Sequence, residues 1–365
     1  IFKIKINLNH FFFFVFFSIE LFSIGNYLFV DILADFIVNN MKLLFQMVSY
    51  LIVPQLFFFF IGGFIGRSNE KLKNNIWLLL KCNLFLVSVG IVLHFWRPGF
   101  FLEFHKNEFA TVDYGQYYPR LTSYMNSLIL GIVCPVSAVL AIEYAKKWKL
   151  GFIAIFVIGS FLTLQRGALI DLLLGFTILF ILRNSDKLKT IKFKLSYKSY
   201  NTLFYSLILV FISCILFYYI YNHSSIAQSF VVNLRYKLDN LINSIFERNS
   251  TWLLAFNVAN EYPLGLGIGL LSHKGADAHF IYAVPDGNYF RILGELGYFG
   301  LISFVSLLIT GIVLVIKQKR YSISAVLICF AFHALGTNVF DLYYTSFIFW
   351  FLLGITYFNS CYSSS

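Results

Sequence analysis

Arg120, Arg166, Arg235, Arg248, Arg291, Asp286 and Asn288 are the residues of this chain whose types and surroundings suit chemistry on an anion. A guanidinium is a fixed fork of donors that matches phosphate oxygens two at a time, and it stays charged at any working pH. A carboxylate beside it can take or orient a proton. Arg166 lies in Leu162-Thr163-Leu164-Gln165-Arg166-Gly167-Ala168, where one apolar segment ends and the next begins almost at once. An arginine so close to hydrocarbon is costly unless it snorkels to the surface or meets an anion. Gly167 suits the tight turn between the segments, and Asp171 is an alternative, structural partner for the guanidinium. Arg248 stands just ahead of a predicted helix over 251–261, capped by Asn249 or Ser250 and ended by Pro263 and Gly265. The free N–H groups of that helix start and the guanidinium together make an anion site suited to phosphate; a solvated surface charge is the other reading. Pro285-Asp286-Gly287-Asn288 is turn chemistry, and Asp286 is either a turn and capping residue or a base aimed at a pocket. Arg291 and Glu295 follow one helical turn apart. Arg120 sits just before an apolar span and either anchors to lipid headgroups or points into a cavity.

These residues must be carried by a membrane scaffold. The chain is 59% hydrophobic and 12% charged, where a soluble domain carries about 25% charged residues. The pattern predicts an all-α, polytopic membrane bundle, a single domain over 1–365, with about ten spans of the length a bilayer requires. They run approximately over 11–31, 43–65, 76–96, 124–144, 150–165, 168–182, 200–221, 292–316, 321–337 and 344–358. The net charge of +11 is explained by the positive-inside rule and not by nucleic acid. With both termini cytoplasmic, most of the 28 basic residues fall inside: Lys3 and Lys5, Arg67 to Lys73, Lys146 to Lys149, the run Arg183 to Lys198, and Lys317 to Arg320. The basic, Phe-rich 3–30 segment reads as a first span and not as a cleavable signal peptide, since no small-residue cleavage site follows.

The same topology puts 222–290 outside, and so long a connection in a compact bundle calls for a functional reason. Within it, 225–246 has apolar residues at helical spacing (Ile226, Phe230, Leu234, Leu238, Leu241, Ile245), with Arg235 on another face. This suits an amphipathic helix at the membrane interface. Gly265-Leu266-Gly267-Ile268-Gly269 lacks dinucleotide or P-loop spacing and reads as close backbone packing. His273, Lys274, Asp277 and His279 lack metal-ligand spacing, and Cys82, Cys134, Cys214, Cys329 and Cys361 form no disulfide or metal-finger pattern. No internal repeat of the kind found in many secondary transporters is visible.

The order of these features resembles the O-antigen polymerase and ligase superfamily of bacterial integral-membrane glycosyltransferases. It comprises the arginine of Leu-Thr-Leu-Gln-Arg-Gly-Ala, a long external loop with Arg248-x-x-x-Trp252, then Pro-Leu-Gly-Leu-Gly, and Asn288-Tyr289-Phe290-Arg291-Ile292-Leu293-Gly294-Glu295-Leu296-Gly297-Tyr298-Phe299-Gly300. The likeness extends from about Arg120 through the Trp350 to Gly354 stretch. It implies a multi-pass protein of the bacterial plasma membrane that transfers a glycan from undecaprenyl diphosphate on the outer face. It also implies partners in a chain-length regulator and a flippase. Arg166 and Arg248 match the family's arginines for the donor diphosphate. The ligases carry a His directly before the Asn of the last motif, and here that residue is Gly287, with Asp286 one earlier. This favours a polymerase of O-antigen or capsule repeat units, with Asp286 as base, over a ligase to lipid A-core.

The residues suit that chemistry. Displacing a diphosphate from an anomeric carbon needs positive charge on the leaving group and a base or orienting group for the incoming hydroxyl. Neither a metal nor a cofactor is required. As a base an exposed aspartate is weak, so that role needs burial or only the orientation of a hydroxyl. Two rivals remain: a flippase of lipid-linked oligosaccharide, which would place charges near mid-membrane on several helices, and a non-catalytic assembly subunit that uses the long loop for docking.

Overall fold

The structure, a computed structural model, describes residues 8–26, 52–96, 121, 125, 127–145, 148–188, 241–272 and 285–359. Among them there is no strand. Ten helices follow in chain order: α1 Leu8–Asn26, α2 Ile52–Gly66, α3 Asn69–Trp96, α4 Ser127–Tyr144, α5 Lys149–Leu162, α6 Arg166–Leu188, α7 Leu241–Glu261, α8 Asn288–Lys317, α9 Tyr321–His333 and α10 Tyr343–Asn359. A single 3-10 turn, Val339–Asp341, precedes α10. Of these, α3, α4, α6 over Arg166–Asn184, and α8 are long and apolar enough to cross a membrane. The other apolar helices are shorter. The expected span over 200–221, the 97–120 loop with Arg120, and Arg235 lie outside the described residues.

The centre of the bundle is α4, which touches α3, α5, α6, α9 and α10. Its sequence explains the position: it carries one charge, Glu143 at its end, and its small residues Gly131, Ser137, Ala138 and Ala141 let neighbours come close. Polar side chains tie helices across this centre. Asn83 of α3 donates to the Ser137 hydroxyl at 2.7 Å and accepts from the Tyr344 hydroxyl at 2.5 Å, joining α3, α4 and α10. Beside it, Phe304, Phe340, Phe349 and Trp350 pack as one aromatic core. Phe13 of α1 stacks on Phe59 of α2. The crossing of α2 and α10 is reciprocal: a Cβ on Gly62 would collide with the Phe351 carbonyl, and one on Gly354 with the Phe59 carbonyl.

Contacts between helix ends sort the described connections into two faces. At one face Arg320 donates to Asn69 Oδ1 at 2.8 Å and to the Gly66 carbonyl at 3.4 Å, and the Glu143 carboxylate takes both the N–H and hydroxyl of Ser322. Burial lowers the Arg320 pKa from its ordinary value, while Tyr144 and Glu143 oppose the shift. This face gathers the ends of α2, α4 and α8. The opposite face gathers the end of α5, the starts of α6 and α8, and the end of α9. There the α5–α6 turn is made by Leu164, at φ 53°, and not by Gly167, whose value lies elsewhere.

Helix α8 is broken at Gly297 (φ 66°, ψ −168°). A break inside a bundle frees backbone groups that must find partners. The segment after α7 supplies them: the N–H groups of Leu266 and Gly267 bond the carbonyls of Gly294 and Glu295 at 3.0 and 2.9 Å, and Tyr298 N–H bonds the Pro263 carbonyl at 3.3 Å. Side chains at Gly265 or Gly297 would collide with this backbone. The Gly-rich stretch is therefore the close packing its composition predicted, and it clasps a broken helix.

Candidate functional site

Arg248 sits within α7, not ahead of a helix. Asn249 and Ser250 read as a cap, but no Gly or Pro interrupts 241–261, and the backbone continues through both as one helix. The expected phosphate site at a helix N-terminus is therefore not formed at Arg248. The part of the predicted amphipathic helix over 225–240 lies outside the described residues; its last residues, from Leu241 on, belong to α7.

What meets Arg248 is Asp286. Its Nε lies 3.4 Å from the Asp286 carboxylate, with the two side chains 41% and 50% exposed. The pair is held by its surroundings. The Thr251 hydroxyl donates to the Arg248 carbonyl at 2.8 Å and accepts from the Asp286 N–H at 3.4 Å. Trp252, four residues after Arg248 and one helical turn on, donates Nε1–H to the Asp286 carbonyl at 2.7 Å and stacks on Phe290 at 4.8 Å. The Arg-x-x-x-Trp spacing thus puts guanidinium and indole on one side of α7, and both grip the 285–287 turn.

A second turn, 334–338, closes the site from the other side. Asn288 N–H bonds the Ala334 carbonyl at 2.8 Å, and Asn338 donates to the Pro285 carbonyl at 2.9 Å. Gly287, at φ 94°, has no room for a side chain against the Leu335 carbonyl. Gly336 faces Arg248 so closely that a Cβ there would lie 2.8 Å from the guanidinium Nη1. The Asn288 side chain is buried, and its Oδ1 accepts from Phe340 N–H at 3.2 Å, which fixes the start of α8 to the 3-10 turn.

Arg166, half-buried, opens α6. Its neighbour Gly167 lies against the His333 ring, with a Cβ there 2.6 Å from Cε1. Asp171, the alternative partner considered for Arg166, pairs with His333 instead, Oδ2 to Nδ1 at 2.5 Å, both side chains at least 96% buried by exposures of 1% and 4%. His333 is the last residue of α9 and runs directly into the 334–338 turn. The start of α6 and the Arg248–Asp286 pair therefore converge on the same short segment. Arg291 goes elsewhere: it is buried and pairs with Glu295 at 3.6 Å, in a cluster with Glu20 of α1 and Gln55 of α2 around a cavity of about 10 Å³. Glu295 also accepts from Leu271 N–H at 3.1 Å.

His333, Gly336, Asn338, Glu20 and Gln55 escaped the sequence reading. The signal available for His333 and Glu20 was their place in apolar segments, where an ionisable residue is a site candidate by default; Gly336 and Asn338 gave none. His273, Lys274, Asp277 and His279 lie outside the described residues. No protein-family model matches this chain, and no curated protein matches it.

Proposed function

We propose that this protein polymerises undecaprenyl-diphosphate-linked oligosaccharide repeat units into O-antigen or capsular polysaccharide at the outer face of a bacterial plasma membrane. In this reading the ten-span topology holds, and the face bearing Arg248 and Asp286 is the outer one. The observation that carries the proposal is the half-exposed Arg248–Asp286 pair, clasped between the 285–287 and 334–338 turns, with the Arg166 segment brought to the same place. A fixed guanidinium whose charge is only partly engaged suits a leaving diphosphate that must be held as its bond to sugar breaks. Arg166 serves as the second cation. Asp286 positions Arg248 and orients the incoming hydroxyl. The donor and acceptor are both lipid-linked, so both arrive through the bilayer around the bundle.

A flippase for the same lipid-linked unit is the second reading, and the buried Glu20, Arg291 and Glu295 cluster favours it. Against it, this cluster lies toward the same end of α8 as Asp286. Surface polysaccharide from a strain lacking the protein separates the readings. Under the polymerase reading the strain keeps single repeat units and loses the long-chain ladder, and Arg166→Ala or Arg248→Ala at matched membrane levels fails to restore it. Loss of even the single unit would point to the flippase or to a ligase.

A further inference from the structure

We infer that His333, held by Asp171, is the base that removes the proton from the acceptor hydroxyl; the inference rests on the polymerase reading and assigns it a residue that the sequence motifs do not contain. Asp286 is paired with the Arg248 guanidinium and half-exposed, so it is suited to orient the incoming hydroxyl and is a weak base for its proton. The Asp171–His333 pair has the arrangement such a step requires. Nδ1 lies 2.5 Å from Asp171 Oδ2; a carboxylate there selects the tautomer that carries its proton on Nδ1 and its lone pair on Nε2. A carboxylate behind a histidine also stabilises the imidazolium that forms.

Placement supports the same role. The ring lies against the backbone of Gly167, one residue from Arg166, and any side chain at 167 would press on the ring edge carrying Cε1 and both nitrogens. Three residues on, Gly336 meets the guanidinium of Arg248. The imidazole thus lies against the residue next to Arg166, and its own chain segment reaches Arg248 three residues later. The bland alternative is that the pair only pins α6 to α9. Two buried ionisable groups are a poor pin, because taking them out of water costs about as much as their attraction returns, and an apolar pair of equal volume would hold the helices as well or better.

In the step, the acceptor hydroxyl passes its proton to His333 Nε2 while its oxygen bonds the donor's anomeric carbon. The bond from that carbon to the diphosphate oxygen breaks, and its electron pair leaves on undecaprenyl diphosphate. The imidazolium later returns its proton to water. His333 is the catalytic base and Asp171 a positioning residue.

The test uses the purified full chain in lipid nanodiscs and, as both donor and acceptor, the lipid-linked repeat units extracted from a strain lacking the protein. Elongation rate and binding of the lipid-linked unit are measured separately. His333→Gln is expected to lower kcat by roughly 10²–10⁴-fold with binding unchanged, Asp171→Asn to lower it by less, and added imidazole to restore part of the rate of His333→Ala. A helix pin would give none of these three. If His333→Gln does not reach the membrane, Asp171→Asn decides: a wild-type kcat in that variant overturns the inference. Wild-type kcat in His333→Gln, or lost binding with kcat kept, also overturns it and leaves the polymerase reading standing. A wild-type protein that elongates nothing overturns both.

Discussion

Arg248 is the residue on which most of the local geometry converges: its guanidinium meets Asp286, its carbonyl is bonded by Thr251, and Gly336 leaves it room. Arg248→Ala is expected to cut elongation by roughly 10²–10³-fold, the loss typical of one transition-state charge donor. Arg248→Lys should recover only part of it, because an ammonium keeps the charge but loses the fork. Gly336→Ala is the subtler probe. A methyl there collides only with the end of a flexible side chain at 2.8 Å, so the melting temperature in detergent should stay at the wild-type value while the polysaccharide ladder shortens. An unchanged ladder would mean that the guanidinium's position does not matter. Arg248 and Asp286 were legible in the sequence because their motifs are local, a spacing on one helix and a turn. Their ion pair was not, since it depends on two segments that the chain brings together across 38 residues, and neither was His333, whose partner lies three helices earlier.

At the scale of elements, the helices were readable from apolar length and basic flanks, and the observed α3, α4, α9 and α10 start or end within a few residues of the expected spans. Three features were not. The helix over 241–261 runs on because a polar Asn-Ser pair ends a helix only where the backbone turns. The α5–α6 turn uses Leu164, and Gly167 lies against His333, a contact made in space and not along the chain. The break at Gly297 looked like continuous apolar helix, since what stabilises it is backbone from 263–267. That break gives a direct prediction. Gly297→Ala places a Cβ at φ 66° against the Pro263 carbonyl and should cost at least about 1–2 kcal/mol, read as a lower melting temperature in detergent; an unaltered melt would show that the clasp does not hold α8. Asn83→Ala removes the bonds to Ser137 and Tyr344 and should cost about 0.6–2 kcal/mol, the range for buried polar contacts between membrane helices. Its effect should appear in stability and not in elongation by the folded fraction, because Asn83 bonds Ser137 and Tyr344, neither of which is assigned a part in the reaction.

For the whole molecule, the end contacts divide the described connections into two faces: those after α2, α4 and α8, which the sequence grouped by their basic residues, are joined through Arg320 and Glu143. Single cysteines placed at Ser68 and Lys319 in a cysteine-free background should therefore react with an impermeant maleimide from one side of sealed vesicles, and a cysteine at Thr337 from the other. The polymerase reading further requires that Thr337 face outward. The most direct measurement of the central claim is elongation by the purified chain in nanodiscs, supplied with lipid-linked repeat units extracted from a strain lacking it, with glycan length and released undecaprenyl diphosphate followed together. The account predicts lipid-linked chains of increasing length, one undecaprenyl diphosphate released for each unit added, and loss of both products in Arg248→Ala. Repeat units that stay single while wild-type protein is folded and binds them, or an Arg248→Ala variant that elongates as well as wild type, would contradict it.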